Sequence, residues 1–130
     1  MKCCTPHTQG ANRLFSFFAR NYRKRFARQG FEPSQKQLLE GIKNAGFIQA
    51  SILEIGSGVG YLHQSLLEQG AASATGIDLA QEMIVQASLA AQERKLSERT
   101  AYVQGDFIEF ETSIAPADIV ILDKVVCCYP

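Results

Sequence analysis

Three glycines spaced two apart, Gly56, Gly58 and Gly60, are the residues of this chain best suited to hold a ligand. They have no β-carbon, so a ligand can approach their backbone closely. The preceding run, 51–55, is rich in β-formers, and the leucines within 62–67 recur at helical spacing. Nucleotides bind at such strand-to-helix turns. We therefore predict a nucleotide-like cofactor on this segment, called the glycine turn below.

The second predicted strand, residues 73–79, ends with a carboxylate, Asp78. This residue lies 22 residues beyond Gly56. From there it reaches the ribose of a nucleotide on the glycine turn and can accept hydrogen bonds from both hydroxyls. The alternative is an exposed carboxylate at the start of the next predicted helix, 81–96. We favour the ribose role, and we expect the Asp78 side chain to have no partner in the core.

The third predicted strand, 101–104, leads into Gly105, Asp106 and Phe107. Asp106, or the backbone beside it, is placed to meet an adenine amino group, and Phe107 is placed to cover the ring. Taken alone, these two residues are better explained as a turn acid and a core aromatic residue.

The elements that must position these residues alternate between strand and helix, and a fourth strand is predicted at 117–122. Parallel strands joined by right-handed crossovers then lie in the spatial order 3-2-1-4. We predict an α/β fold with a Rossmann-like doubly wound parallel sheet that ends after the fourth strand. Two helices precede it, so residues 1–46 form a basic helical extension and residues 47–130 a partial cofactor-binding domain.

Composition indicates a soluble protein, since 46% of the 130 residues are hydrophobic and 20% are charged. We find no apolar run long enough to span a membrane and no signal peptide, which predicts a cytoplasmic location. The cysteines form two adjacent pairs, Cys3 with Cys4 and Cys127 with Cys128, without metal-binding spacing. We expect reduced thiols and no metal site.

Basic residues are concentrated at the start of the chain, where the first 31 residues contain seven of them and no acid. Between Asn12 and Arg28, an aromatic and aliphatic stripe recurs every four residues through Leu14, Phe18, Tyr22 and Phe26. Such a helix can bind an anionic partner, including nucleic acid. We favour the alternative that its stripe packs on the acidic body of the protein. Residues 1–10 show no apolar period and are expected to lack regular structure.

Four short motifs together resemble the cofactor half of class I S-adenosylmethionine-dependent methyltransferases. They are E-I-G-S-G-V-G at 54–60, G-I-D-L at 76–79, Q-G-D-F at 104–107 and A-D-I-V-I-L-D at 117–123. The end of the chain, D-K-V-V-C-C-Y-P, is also similar to bacterial methyltransferases related to the magnesium protoporphyrin O-methyltransferases. The resemblance implies S-adenosylmethionine as cofactor. It places the methionyl part on Glu54, Gly56, Ser57, Gly58 and Gly60, the ribose on Asp78, and the adenine on Asp106 and Phe107. Leu79 is a further cofactor-binding residue by the same resemblance.

The main alternative within this fold is a nicotinamide or flavin dinucleotide protein. Its G-x-G-x-x-G pattern is not met, because Gly60 comes one residue early and Tyr61 stands where a small residue is needed. Glu54 would also repel a pyrophosphate, whereas it attracts the ammonium and sulfonium of S-adenosylmethionine. Charge complementarity therefore favours the methyl donor.

The residues that catalyse the transfer are harder to predict, because the sulfonium is already activated and the protein mainly aligns the reactants. Asp123, Lys124 and Tyr129 are the candidates for a general base beyond the fourth strand. The N-P-P-Y signature of amide and base amino methyltransferases is absent, which favours O- or C-methylation of a small molecule. His63 is interpreted as a helix residue rather than a base.

Pro130 follows the fourth predicted strand closely, whereas the resemblance implies three further strands that build the acceptor pocket. We therefore expect a cofactor half without its usual acceptor half. Three alternatives follow: a fragment of a methyltransferase, a protein that binds the cofactor without turnover, and a partner-binding protein. An open fourth-strand edge is expected to favour self-association.

Overall fold

The computed structural model describes residues 9–110 and 112–125, with side chains from residue 17 onward. Two helices, α1 and α2, precede a series of alternating strands and helices. The helices are α1 (Gln9–Gln29), α2 (Pro33–Ala45), α3 (Tyr61–Glu68), α4 (Gln81–Glu93) and α5 (Phe107–Phe110), with a 3-10 turn at Ser97–Arg99. The strands are β1 (Ser51–Ile55), β2 (Ser73–Asp78), β3 (Thr100–Gln104) and β4 (Ile119–Leu122).

The four strands form one parallel sheet in the order β3-β2-β1-β4, which confirms the predicted topology. Ile55, the last residue of β1, pairs with Ile77 of β2 and Leu122 of β4. The carboxyl ends of these strands are therefore level with one another. Residues that follow them, such as Gly56 and Asp123, lie at the same edge of the sheet.

The core is divided by the sheet, because successive side chains of a strand point to opposite faces. On one face Ile52, Ala74 and Ile121 pack with apolar side chains of α2, α3 and α4. On the other face Leu53 and Ile77 pack with residues of α5 and the segment after it. Leu39 of α2 belongs to the first cluster, so this helix shares the main core. The division of the chain at residue 46 stays a prediction.

Helix α1 packs along α4 and on the start of α3, as the favoured interpretation of its stripe requires. The Phe26 ring stacks on Tyr61 with the centroids 3.8 Å apart, and Tyr22 stacks on the same ring at 6.2 Å. Arg23 of α1 donates to Glu93 of α4 at 2.7 Å. Packing on the acidic body is thus confirmed for Tyr22 and Phe26. An anionic partner for this helix stays a prediction.

Three local expectations about helices were wrong. Phe18 of the stripe is 46% exposed and does not join the core. Helix α1 already begins at Gln9, so residues 9 and 10 are helical, while Met1 to Thr8 lie outside the described residues. Helix α4 ends at Glu93 rather than at residue 96, because Lys95 adopts a left-handed conformation with φ 58°.

Strand β4 lies at the edge of the sheet and pairs with β1 alone among the described strands. Its side chains Val120 and Leu122 are 52% and 46% exposed. None of the described strands pairs with the outer edge of β4, as predicted, and self-association through this edge stays a prediction. Both cysteine pairs lie outside the described residues. Within the described chain, none of the helices has the length and apolar character needed to cross a membrane.

Candidate cofactor site

The glycine turn joins β1 to α3, and all three of its glycines have positive φ: 66° at Gly56, 55° at Gly58 and 83° at Gly60. Two of them are also in close contact with a neighbour. A β-carbon on Gly56 would lie 2.5 Å from Val125 Cγ2, and one on Gly60 would lie 2.5 Å from His63 Cε1. At Gly58 the nearest atom would be 4.0 Å away. A methyl group at Gly58 would therefore fit without a clash.

Asp78, at the end of β2, holds the glycine turn directly. Its Oδ2 accepts a hydrogen bond from the backbone N–H of Gly58 at 2.8 Å, and its Oδ1 accepts one from Ala80 at 2.9 Å. The strand order thus brings Asp78 to the turn, as predicted, but the expectation that its side chain lacks a partner was wrong. Burial raises the pKa of this carboxyl, and the two backbone donors partly counter that effect.

Glu54 lies beneath the turn, with only 3% of its surface exposed. Because side chains alternate along β1, Glu54 is on the face of the sheet that α3 covers. There its Oε2 lies 2.5 Å from Nδ1 of His63. His63 is a helix residue, as predicted, and is fully buried. Sequence reasoning missed the contact between the two, although the third residue of a helix that starts at Tyr61 is well placed to face the strand before it.

Ser57 carries the one buried side-chain oxygen or nitrogen of the described residues that lacks a hydrogen-bond partner. Its backbone N–H donates to Ile77 O at 3.0 Å, so the residue itself is fixed between β1 and β2. The Oγ lies close to Gly76, where a β-carbon would be 2.7 Å from it. Buried hydroxyls are usually hydrogen-bonded, so an unpaired one within a candidate ligand turn is consistent with a partner supplied by a ligand or water.

The residues predicted near the adenine lie at the carboxyl edge of β2 and β3. Asp106 is buried, and its Oδ1 accepts a hydrogen bond from the backbone of Ile108 at the start of α5. Phe107 is half-buried against the core cluster that contains Leu53. The carbonyl of Leu79 accepts from Gln104 Nε2 at 3.0 Å. Their contacts with an adenine or a ribose stay predictions.

Asp123 comes directly after β4 and is joined there by residues of the two N-terminal helices. Gln35 of α2 donates from Nε2 to Asp123 Oδ2 at 3.1 Å and to the Tyr22 hydroxyl at 3.4 Å. The Gln35 Oε1 accepts from the backbone of Glu32, which fixes the amide orientation. Sequence reasoning missed Tyr22 and Gln35, and only the capping pattern from Glu32 to Gln35 gave a local signal for the position of the latter.

Acidic groups surround the Tyr22 hydroxyl. Burial raises the pKa of Tyr22, and the negative charges of Asp123, Glu32 and Glu54 raise it further. Lys124, the second predicted candidate base, is exposed and forms an ion pair with Glu32. The third candidate, Tyr129, lies outside the described residues. The Tyr22 hydroxyl therefore lies within the influence of three carboxylates, a charge environment that suits a cationic ligand.

Comparison with known families identifies the domain. The sequence profile of a family described as methyltransferase domain matches residues 52–130, which is more than half of the chain. The chain belongs to this methyltransferase domain family. The match covers the glycine turn and Asp78 as well as β4. No curated protein matches the sequence.

Solved structures agree with this assignment. A protein from Methanococcus maripaludis, described as a putative S-adenosyl-L-methionine-dependent methyltransferase, has the same fold, with a TM-score of 0.64 and 23% sequence identity. The alignment covers 86% of this chain and 54% of the Methanococcus chain. A methyltransferase from Geobacter sulfurreducens, in complex with S-adenosyl-L-homocysteine, is 26% identical with a TM-score of 0.51. One from Thiobacillus denitrificans, in complex with the same molecule, is 24% identical with a TM-score of 0.58.

This methyltransferase-family chain is shorter than those two relatives. The alignments cover 59% of it and 30% of the Geobacter protein, and 69% of it and 36% of the Thiobacillus protein.

Proposed function

We propose that the chain is the cofactor-binding part of an S-adenosylmethionine-dependent methyltransferase. The observation that carries this proposal is the buried carboxylate of Glu54 beneath the glycine turn, with the half-buried carboxylate of Asp78 beside it on the next strand. A dinucleotide would bring its anionic pyrophosphate to this turn and be repelled. The methyl donor brings an ammonium and a sulfonium instead, which carboxylates attract. When bound, S-adenosylmethionine would supply the electrophilic methyl group.

The residues of this chain fit that cofactor in three further respects. A β-carbon at Gly58 would have no neighbour closer than 4.0 Å, which leaves room for a ligand at this point of the turn. The unpaired hydroxyl of Ser57 offers a hydrogen bond. Asp78 uses one lone pair of each carboxylate oxygen for the backbone of Gly58 and Ala80, so each oxygen can accept a further bond from a ribose hydroxyl. We assign the methionyl part to Glu54 and the glycine turn, and the adenine to Asp106 and Phe107.

We place the methyl acceptor, a small molecule methylated at oxygen or carbon, beside Asp123. The paired register sets Asp123 level with Gly56, and Val125 packs directly on that glycine. Gln35 donates to Asp123 Oδ2, which holds the carboxylate in one orientation and leaves Oδ1 without a bond from Gln35. A carboxylate in that place can take the proton that an acceptor hydroxyl loses. Lys124 is the weaker candidate, because its ammonium pairs with Glu32.

Calorimetric titration of the purified chain tests the proposal. We expect one S-adenosylhomocysteine molecule to bind per chain, S-adenosylmethionine to bind comparably, and NAD to give no heat of binding, because Glu54 beneath the turn disfavours its pyrophosphate. Binding of NAD in preference to both methionyl ligands would refute the proposal. Adenosine serves as a control for recognition of the nucleoside alone.

Ser57→Ala is expected to move stability and affinity in opposite directions. Removing an unpaired buried hydroxyl leaves the free energy of unfolding unchanged or raises it by about 1 kcal/mol. If the hydroxyl bonds the cofactor, the variant loses about three- to tenfold in affinity for S-adenosylhomocysteine. Urea denaturation and calorimetry measure the two quantities. The control is Ser65→Ala on the outer part of α3, where the hydroxyl accepts a hydrogen bond from Gln69. If both variants lost the same affinity for S-adenosylhomocysteine, a role of Ser57 in binding would be contradicted.

A further inference from the structure

A continuous chain of polar side chains crosses the interior beneath the glycine turn. It begins at Arg94 at the end of α4, whose Nη1 donates to Gln64 Oε1 at 3.2 Å. Gln64 Nε2 donates to the Tyr102 hydroxyl at 2.9 Å. That hydroxyl lies 2.8 Å from His63 Nε2, and His63 Nδ1 lies 2.5 Å from Glu54 Oε2. The chain therefore connects a guanidinium at one end to a carboxylate at the other.

The positions of the hydrogens follow from the partners. Burial raises the pKa of Tyr102 to about 12, so its hydroxyl keeps its hydrogen at neutral pH. Because the Tyr102 oxygen accepts from Gln64, its own hydrogen is directed at His63 Nε2. His63 Nε2 then acts as acceptor, and the ring hydrogen is on Nδ1, where it is donated to Glu54. Every bond runs in the same direction, from Arg94 to Glu54.

The arrangement fixes one oxygen of Glu54 and leaves the other available. His63 contacts Oε2 of this carboxylate. Within the described residues, no group forms a hydrogen bond with its Oε1. The negative charge of Glu54 acts on Tyr22, which borders the proposed cofactor cleft on the side of α1. Aligned hydrogen bonds in a dry interior strengthen one another, so the chain holds the carboxylate in one rotamer.

We propose that Arg94, Gln64, Tyr102 and His63 are positioning residues that orient Glu54 toward the ammonium of the cofactor's methionyl end. This inference rests on the proposed function. The alternative is that the five side chains only satisfy one another and thereby support the turn. The two roles differ in what they predict for a ligand that lacks the ammonium.

The test compares two ligands by calorimetry. S-adenosylhomocysteine carries the ammonium, whereas 5′-methylthioadenosine keeps the adenosine and the sulfur but has neither ammonium nor carboxylate. Tyr102→Phe interrupts the chain and keeps the ring against Gly76. We expect it to weaken S-adenosylhomocysteine about tenfold and methylthioadenosine less than about twofold. Glu54→Gln is expected to show the same selectivity with a larger loss for S-adenosylhomocysteine.

Two additional variants keep the test decisive. Arg94→Met interrupts the chain at its half-exposed end and is expected to produce a smaller loss of the same selectivity, even if Tyr102→Phe folds poorly. The double variant with Glu54→Gln and Tyr102→Phe is expected to match Glu54→Gln alone, because Tyr102 acts through Glu54. Equal losses for both ligands, or additive losses in the double variant, would overturn the inference and leave the proposed function standing. Absence of S-adenosylhomocysteine binding by the unmodified chain would overturn both.

Discussion

Asp78→Asn is expected to weaken S-adenosylhomocysteine binding by about ten- to a hundredfold, because hydrogen bonds to a charged group contribute roughly 1.5 to 3 kcal/mol each. The carboxylate already accepts from the backbone of Gly58 and Ala80, and the proposed ribose contacts add to these two bonds. Asparagine has a single oxygen acceptor and cannot serve both backbone donors. One of the two N–H groups would then face the side-chain amide nitrogen.

The same substitution is expected to change the free energy of unfolding. Losing one hydrogen bond destabilises the fold, while removing a buried charge relieves its desolvation cost, and the pKa of Asp78 is raised by that burial. We expect a net loss of about 1 kcal/mol by urea denaturation. Asp118→Asn is the matched control, because Asp118 also accepts from a backbone N–H, that of Ser51, but lies at the opposite edge of the sheet. It should leave cofactor affinity unchanged.

The raised pKa of Asp78 also predicts how binding depends on pH. The folded protein binds a proton at Asp78 more readily than the unfolded chain does, so this group's contribution to stability falls as pH rises from about 3.8 through the raised folded pKa. Ribose hydroxyls donate to the ionised form, so affinity for S-adenosylhomocysteine should increase over the same window. Titrations between about pH 4 and 8 should show this increase in the unmodified chain and a flatter profile in Asp78→Asn. Equal binding by the two proteins at neutral pH, with both folded, would remove Asp78 from the site.

The sheet and the position of Asp78 were predictable because they depend on local patterns. Short runs of β-formers gave the four strands, and helical crossovers allow only one hand, so the order β3-β2-β1-β4 followed. That order places the end of β2 beside the glycine turn. The contact between Asp78 and Gly58 was not predicted, since which lone pairs a strand-end carboxylate uses depends on the exact path of the turn.

The parts of the site that sequence reasoning missed are built by contacts between residues far apart in the chain. Gln35 reaches Asp123 across 88 positions, and Tyr22 joins them only because α1 packs on Tyr61. No periodic pattern specifies such a meeting. The contact of His63 with Glu54 spans nine residues and was within reach, because strand alternation and helix phase determine which sides of β1 and α3 face each other.

Gly60→Ala is expected to destabilise the fold by roughly 2 to 5 kcal/mol, because two costs add. A non-glycine residue at φ 83° is strained by about 1 kcal/mol or more. The added β-carbon would also lie 2.5 Å from His63 Cε1 and 2.7 Å from its Nε2, and the buried ring has little room to move. Displacing it breaks the contacts of His63 with Glu54 and Tyr102.

Gly58→Ala separates strain from that clash. Gly58 has a similar positive φ of 55°, but its β-carbon would lie 4.0 Å from the nearest atom, Met83 Sδ. We expect a loss of only about 1 kcal/mol in the free energy of unfolding, measured by urea denaturation. The new methyl group would instead occupy space that we assign to the cofactor, so S-adenosylhomocysteine affinity should fall at least tenfold in a protein that remains folded. If Gly58→Ala bound the ligand normally, the cofactor would not lie against Gly58. If Gly60→Ala were no less stable than Gly58→Ala, the packing of His63 under the turn would be looser than the structure shows.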